Sequence, residues 1–280
     1  MKITIKDKHK CDIFVNIFQC LKLYSEHINI HVTNDKFVTS GLDRSHVSFY
    51  DLNIHKDWFD EYELDEFEQP VIGINSSIMF KILHTKQENQ TLSMEYAEGD
   101  DRLKLSFISE DIKDINNFFE MPLVDIDADN IQVPKKEGEA EFIIPTKKFC
   151  VVMEQLGIFD DVFRMICTDE GVNCIVDGTE GKMDIAMSLD TMIEYSIDED
   201  TTVENNYSTK LINKVCNFNK ISPNINLSIS NNYPIEIKYC LGTSASDTET
   251  GAANADAGDT DADDKASYMR FLIAPQIDND

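Results

Sequence analysis

Long apolar runs are missing from this 280-residue chain. No stretch approaches the roughly 18 consecutive apolar residues that a membrane span requires. The first residues, MKITIKDKHK, place charges where a secretory signal needs an apolar region. The sequence therefore predicts a protein that neither spans a membrane nor carries an export signal. Positive charge is scarce too: 25 Lys and Arg stand against 52 Asp and Glu, a formal charge of −27. Taken whole, that balance opposes indiscriminate binding to DNA. Paired cysteine motifs are also absent. Cys11, Cys20, Cys150, Cys167, Cys174, Cys216 and Cys240 are odd in number and contain no C-x-x-C spacing, so zinc and thioredoxin-like readings lose their motif. FCVVM and KVCNF set cysteines among apolar neighbours. Reduced core thiols in a reducing compartment are the expectation.

Catalytic signatures are lacking as well. DGTEGK has no P-loop spacing, because the first glycine would have to stand at Val176. Neither G-x-S-x-G nor H-E-x-x-H occurs. Carboxylates are plentiful, yet nothing fixes two of them at the spacing a hydrolase needs. Asp259, Asp261 and Asp263 alternate as in a calcium loop. Counted from Asp259, however, Asp264 stands where the sixth-position glycine is required, and no glutamate follows at the twelfth. The expectation is no enzyme, no metal and no cofactor, with a carboxylate-based hydrolase as the least favoured alternative.

What the chain does have is alternation. KITIK, INIHV, KLSFI, NLSIS, IEIKY and MRFLI place apolar residues at every second position, the period of a strand with one buried face. Four windows carry helical spacing instead: 8–24, 76–86, 146–157 and 207–220. In the first, Ile13, Ile17, Phe18 and Leu21 oppose Asp12, Asn16 and Gln19. The order of elements looks duplicated, with helix 76–86 answering helix 207–220, and TLSMEY and KLSFI answering NLSIS and MRFLI. This gives an α+β protein of two similar domains, 1–123 and 138–280, joined by an extended connector at 124–137. Residues 242–265 hold small and acidic residues without a large apolar one, and read as a mobile acidic insert.

Charge is segregated. The four helical windows contain ten lysines (Lys8, Lys10, Lys22, Lys81, Lys86, Lys147, Lys148, Lys210, Lys214 and Lys220) and only two acids, Asp12 and Glu154. Glutamate favours helices as much as lysine does, yet these helices nearly exclude it. One basic surface made of helices on a repulsive body would accept a duplex only where the helices face it. Without a recognition-helix motif, contact would be with phosphates and would not read sequence.

The segment GLDRSHVSFYDLNI resembles the hallmark of the eukaryotic-type sliding clamps, the proliferating cell nuclear antigen family, which typically read M-D-S-S-H-V there. GINSSIMFKIL resembles the family's second helix, and EMPLVDIDADNIQVP its connector. NLSISNNYPIEIKY resembles a late strand pair with a proline, and FLIAPQIDND the terminal tail. The similarity covers nearly the whole chain outside 242–265. It implies a DNA-clamp fold in which three chains close head to tail into a homotrimeric ring, helices lining the hole and sheets outside. The joint would lie near residues 110–117 and 182–188, pairing edges that would otherwise stay exposed.

The resemblance implies a processivity factor that encircles double-stranded DNA in the nucleus, or at the site of viral replication. It would dock a replicative DNA polymerase, an ATP-dependent clamp loader, and replication and repair proteins carrying Q-x-x-[ILM]-x-x-[FY]-[FY]. The DNA-facing lysines would be Lys22, Lys81, Lys86, Lys147, Lys148, Lys210, Lys214 and Lys220. The peptide pocket would comprise Leu42, His46, Val47, Phe49, Ile131, Val133, Pro134, Pro234, Leu272, Ala274, Pro275 and Ile277. The chain departs from the family in having Leu272 in place of tyrosine and Gln276 in place of lysine. Val15, Asn16, Val151 and Glu154 stand near positions often basic, and Asp169 replaces the family's modified lysine. The acidic insert, just before the last strand, is expected near the partner face. Two alternatives remain at this point: a viral-type factor that binds DNA as a monomer or dimer, and a subunit of a heterotrimeric checkpoint-type ring.

Overall fold

The computed structural model describes residues 1–64, 69–111, 113–126, 136–179, 181–242 and 265–276. The first series of elements is β1 (Lys2–Ile5), α1 (Lys8–Tyr24), β2 (His27–Val32), β3 (Lys36–Leu42), β4 (Ser48–His55), a 3-10 turn (Lys56–Trp58), β5 (Glu61–Glu63), β6 (Val71–Asn75), α2 (Ser76–Leu83), β7 (Gln90–Glu95), β8 (Arg102–Ser109) and β9 (Asn117–Pro122). The second is β10 (Ala140–Pro145), α3 (Thr146–Leu156), β11 (Val162–Thr168), β12 (Gly171–Gly178), β13 (Gly181–Ser188), a 3-10 turn (Leu189–Thr191), β14 (Glu194–Ile197), β15 (Val203–Ser208), α4 (Thr209–Cys216), β16 (Asn224–Ile229), β17 (Ile235–Cys240) and β18 (Tyr268–Ile273). The second series repeats the first element for element. By that order KLSFI, in β8, corresponds to IEIKY in β17 and not to MRFLI, whose counterpart is β9. Period-2 alternation names a buried face but not a position in the sheet, so alternation alone mismatched them.

Local chemistry explains where the helices begin. Asp7 accepts from Lys10 N at 2.8 Å ahead of α1. Asn75 accepts from the amides of Ser77 and Ile78 ahead of α2, and Ser208 accepts from that of Leu211 ahead of α4. Each satisfies donors that an isolated helix end leaves unpaired. Helix α1 spans the expected window. The other three stop earlier than the windows 76–86, 146–157 and 207–220, so Lys86 and Lys220 lie beyond helix ends. After Leu83 and Cys216 the chain closes into tight turns, with Thr85 N on Ile82 O at 3.0 Å and Phe218 N on Val215 O at 3.1 Å.

Among the described residues all strand pairs are antiparallel, in three sheets: β5-β1-β7-β8-β9, β13-β12-β11-β15, and a nine-stranded β14-β10-β16-β17-β18-β4-β3-β2-β6. The nine-stranded sheet is a fusion. Its β14 to β18 half mirrors the five-stranded sheet, and its β4 to β6 half mirrors the four-stranded one. The seam is β18 on β4, six residue pairs from Tyr268↔Asn53 to Ile273↔Ser48. At the far edge the chain after β9 crosses β6. Val124 N donates to Gly73 O at 2.9 Å, and a Cβ on Gly73 would stand 1.9 Å from Val124 O, so only glycine fits.

The helices form one layer over the inner faces of the sheets, in contact order α2–α1–α4–α3. Lys22 Nζ lies 3.6 Å from the Phe80 ring centroid, Lys214 Nζ lies 4.0 Å from that of Tyr24, and Asn213 donates to Met153 O at 3.1 Å. Tyr24 packs on Phe271 and Tyr50, with ring centroids at 5.1 and 5.8 Å, which sets α1 directly over the seam. All seven cysteines are free thiols; six are buried and Cys240 is half-buried.

On the outer face of the seam, Arg270 of β18 bridges Asp51 of β4 at 2.6 Å and Glu236 of β17 at 3.5 Å, its side chain only 13% exposed. Removing one member of a largely buried ion cluster strands the others. Arg270→Ala is expected to cost about 3 kcal/mol in urea denaturation, whereas replacing Arg270, Asp51 and Glu236 together with apolar residues of similar volume recovers most of it.

Candidate functional site

Two surfaces gather the residues that the sequence singled out. The first is the helix layer. Lys81, Lys147, Lys148 and Lys220 are exposed, and no ion pair among the described residues reaches them. Lys210 is exposed and paired with Asp161, a surface contact of small energy that a competing anion can displace. Lys86 donates to Gln87 O at 3.0 Å. Lys22 and Lys214 are half-buried over Phe80 and Tyr24. Burial holds the Lys214 ammonium below its usual pKa. These two lysines also fasten helix to helix.

The second surface is on the outer face of the seam. Leu42 of β3 stands opposite Phe49 of β4, and Phe49 stands opposite Leu272 of β18. The three make an apolar row across three strands, with Phe49 and Leu272 6% and 7% exposed. The β3–β4 loop borders it and is built around Asp43. That carboxylate accepts from Val47 N at 3.0 Å, Ser48 N at 2.9 Å and the Ser45 hydroxyl at 2.5 Å. The turn leaves His46 in the left-handed region, φ 58°, with its amide on Asp43 O at 3.0 Å. His46 and Val47 are thereby held out into solvent. Ala274 N donates to Val47 O at 3.1 Å, tying the tail to this loop. Pro275 is half-buried next to it, and Pro234 lines a small cleft with Leu272. The structure thus gathers Leu42, His46, Val47, Phe49, Leu272 and Ala274 around one loop. Ile131, Val133, Pro134 and Ile277 lie outside the described residues, as does most of the connector.

That cleft adds groups the sequence reading did not single out: Glu236, Arg270, Lys136 and Tyr233. Burial pushes the Glu236 carboxyl up, with Arg270 and Lys238 opposing. Burial works against the Arg270 charge, but Asp51 and Glu236 outweigh it. A signal existed. Alternation in MRFLI puts Arg270 on the face of Leu272, and in SFYDL it puts Asp51 on the face of Phe49. What alternation could not give was that these strands are neighbours.

The acidic insert, residues 242–265, lies outside the described residues except for Gly242 and Lys265. Its flanks are described. Cys240 pairs with Tyr268 at the opposite end of the β17–β18 hairpin from Pro234 and Leu272, and Leu241 N donates to Ser267 O at 2.8 Å. About five strand residues, at ~3.3 Å each, separate that end from the cleft. Of the segments expected at the joint, 182–188 lie in the edge strand β13, whereas of 110–117 only Asn117 belongs to the edge strand β9.

Family models match both parts of the chain. Residues 7–131 match the model of the proliferating cell nuclear antigen N-terminal domain, and residues 132–248 match that of its C-terminal domain. The chain is 21% identical to a proliferating cell nuclear antigen of Chaetomium thermophilum over 97% of each chain. It is 21% identical to proliferating cell nuclear antigen 1 of Plasmodium falciparum over 97% of this chain and 96% of that one. It is 22% identical to proliferating cell nuclear antigen 2 of Drosophila melanogaster over 71% of this chain and 77% of that one.

Asp43 yields a test. Burial alone would raise its pKa, but the Ser45 hydroxyl and the amides of Ser48 and Val47 outweigh it and hold it below the usual aspartate value. Its stabilisation is present above its unfolded pKa and is lost as pH falls through the lower folded value. Asp43→Ala strands the Val47 and Ser48 amides and is expected to cost about 1–3 kcal/mol at neutral pH. Urea midpoints measured from pH 6 to pH 2 should fall less steeply in the variant than in the parent.

Proposed function

The chain belongs to the proliferating cell nuclear antigen family of non-enzymatic DNA sliding clamps, and on that premise we propose that it closes head to tail into a ring around double-stranded DNA. One observation carries this reading. Among the described residues β9 and β13 are unpaired sheet edges. By element order they are the counterparts of β18 and β4, which do pair. Joining β9 of one copy to β13 of the next would repeat the internal seam between molecules. Such a heterologous contact closes a ring when its rotation is right, and the family supplies the number three. Phe118, on β9, is 72% exposed in the single chain and Ile115 is 65% exposed. Apolar exposure of this kind at an open edge favours a partner strand.

In the ring the helix layer would face the hole. Lys81, Lys147, Lys148, Lys210 and Lys220 would meet phosphates, with Lys22, Lys86 and Lys214 contributing less directly. Few mobile contacts on an acidic body suit sliding better than tight binding does. The row Leu42–Phe49–Leu272, with His46, Val47, Pro234, Ala274 and Pro275, would take the aliphatic and aromatic plugs of a partner peptide. Through it the clamp would hold a replicative polymerase, making that polymerase processive, and repair proteins. An ATP-dependent loader would open the ring, and the working place would be the nucleus or a site of viral replication. The division into 1–123, 124–137 and 138–280 belongs to the same reading. It is supported by the repeated element order and by the family models meeting at 131/132, inside the connector.

Light scattering from micromolar to nanomolar concentration should give three times the 31.9 kDa chain mass, and Phe118→Asp should reduce it to one. One chain mass for the parent at every concentration would overturn the homotrimer and favour a missing partner subunit or an open factor. In a primed-circle assay, Lys147→Glu with Lys148→Glu should lower polymerase stimulation severalfold while the ring mass stays unchanged.

A further inference from the structure

Two of the buried thiols face one another between helices. Cys150 lies in α3 and Cys216 ends α4. The Cys150 thiol donates to Cys216 O at 3.3 Å, and the two thiols are within hydrogen-bonding reach of each other. One turn further on, Asn213 of α4 donates to Met153 O of α3 at 3.1 Å. Three residues forward in α3 match three residues back in α4, so the helices run antiparallel and in register. A Cβ on Gly157 would stand 2.9 Å from Asn213 Nδ2, so the approach stays close beyond that turn. Cys167 and Cys174 are placed differently. Register pairs Cys167 with Val172 and Cys174 with Met165. Such diagonal places lie about 7–8 Å apart, wider than the roughly 3.5–4.5 Å between the β-carbons of a disulfide.

Access and reactivity favour the same pair. Cys150 and Cys216 are each 5% exposed, whereas Cys11, Cys20, Cys167 and Cys174 are 0% exposed. Exposed residues flank both: Lys147, Lys148 and Val151 around Cys150, and Asn217 after Cys216. A hydrogen bond from the Cys216 thiol holds Cys150 below the usual thiol pKa against burial, and Cys216 is pushed up in return. Burial pushes Cys11 up to about 11 and Cys167 up to about 12. The thiolate is the nucleophile in sulfur chemistry, so Cys150 is fitted to attack and Cys216 to resolve.

We propose that Cys150 and Cys216 are a redox modification site, where a small hydroperoxide closes a disulfide between α3 and α4. The Cys150 thiolate attacks the peroxide. An S–O bond forms, the O–O bond breaks, and the departing oxygen takes the proton that Cys150 released. This leaves a sulfenic acid on Cys150 and an alcohol, or water where the oxidant is hydrogen peroxide. The Cys216 sulfur then attacks the Cys150 sulfur. The S–S bond forms, the S–O bond breaks, and hydroxide leaves as water with the Cys216 proton. The two thiols lose two electrons and the peroxide gains them. In a reducing compartment the bond is transient, because thiol reductants reverse it. While it lasts, α3 and α4 move as one body, together with Lys147, Lys148, Lys210 and Lys214. The pair lies within one chain, so its chemistry does not depend on ring closure.

The reduced full-length chain is treated with hydrogen peroxide, denatured, blocked with N-ethylmaleimide and digested for mass spectrometry. The chain should be lighter by two hydrogens and take two fewer maleimides than its seven cysteines, with one linked peptide joining Cys150 to Cys216. Dithiothreitol should restore all seven. The oxidised chain should melt about 5 °C or more above the reduced one, because the bond closes a long loop. Cys216→Ser should stop at a sulfenic acid on Cys150, trapped by dimedone. Cys150→Ser should give no linked peptide, with circular dichroism checking both folds. Seven maleimides after peroxide, oxygen added without a disulfide, or a disulfide through other cysteines would each overturn the proposal. The parent chain alone gives these outcomes, whatever the folding of the variants.

Discussion

Six antiparallel residue pairs between β18 and β4 hold the rest in place. The last strand of the chain returns to a sheet begun by its first half, and the nine-stranded sheet exists because of that return. Beneath the seam Phe271 meets Tyr24, Phe218 and Tyr239, with centroids at 5.1, 6.1 and 6.3 Å, so α1 of the first half and the turn after α4 of the second share one aromatic cluster. Above it the same pairing puts Leu272 next to Phe49 and the tail next to the 43–47 loop. Because β18 takes β4, the two corresponding strands, β9 and β13, are left over. The apolar row on the outer face is thus a consequence of one strand pairing, and β9 and β13 keep an open side.

Much of this was legible in the sequence at the level of elements. Spaced apolar residues located four helices, and alternation located the strands. Helix ends were overextended because lysines and apolar residues continue past Leu83 and Cys216, where backbone turns intervene. Sheet order was not legible: alternation says which face a residue takes, whereas neighbours depend on contacts far apart in sequence. The assignment of KLSFI to MRFLI failed for that reason. The row Leu42–Phe49–Leu272 came from family resemblance, since nothing local joins residues so distant. Glu236 and Arg270 were passed over because a charge in a strand ordinarily signals a solvated face; here that face is partly dry.

Charge segregation also acquires a second meaning. Lys22 and Lys214 spend their ammonium groups on the rings of Phe80 and Tyr24, each joining two helices. Such cation–ring contacts add about 0.5–2 kcal/mol apiece. The basic layer is therefore partly mortar, and its exposed share is smaller than a count of lysines suggests. Its long-range field is diluted further by the acidic body around it.

The hairpin of β17 and β18 is clasped where the chain leaves it, by the Cys240↔Tyr268 pair and by Leu241 N on Ser267 O. With both ends fixed one ladder rung apart, the length of chain between them costs little, since each doubling of a closed loop adds only about 0.6 kcal/mol of entropy. Natural variation in length can therefore accumulate here with almost no tax on the sheet. The same clasp makes this the natural cloning site of the molecule: a fluorescent reporter or an affinity handle could be spliced in there while the strands on either side keep their register.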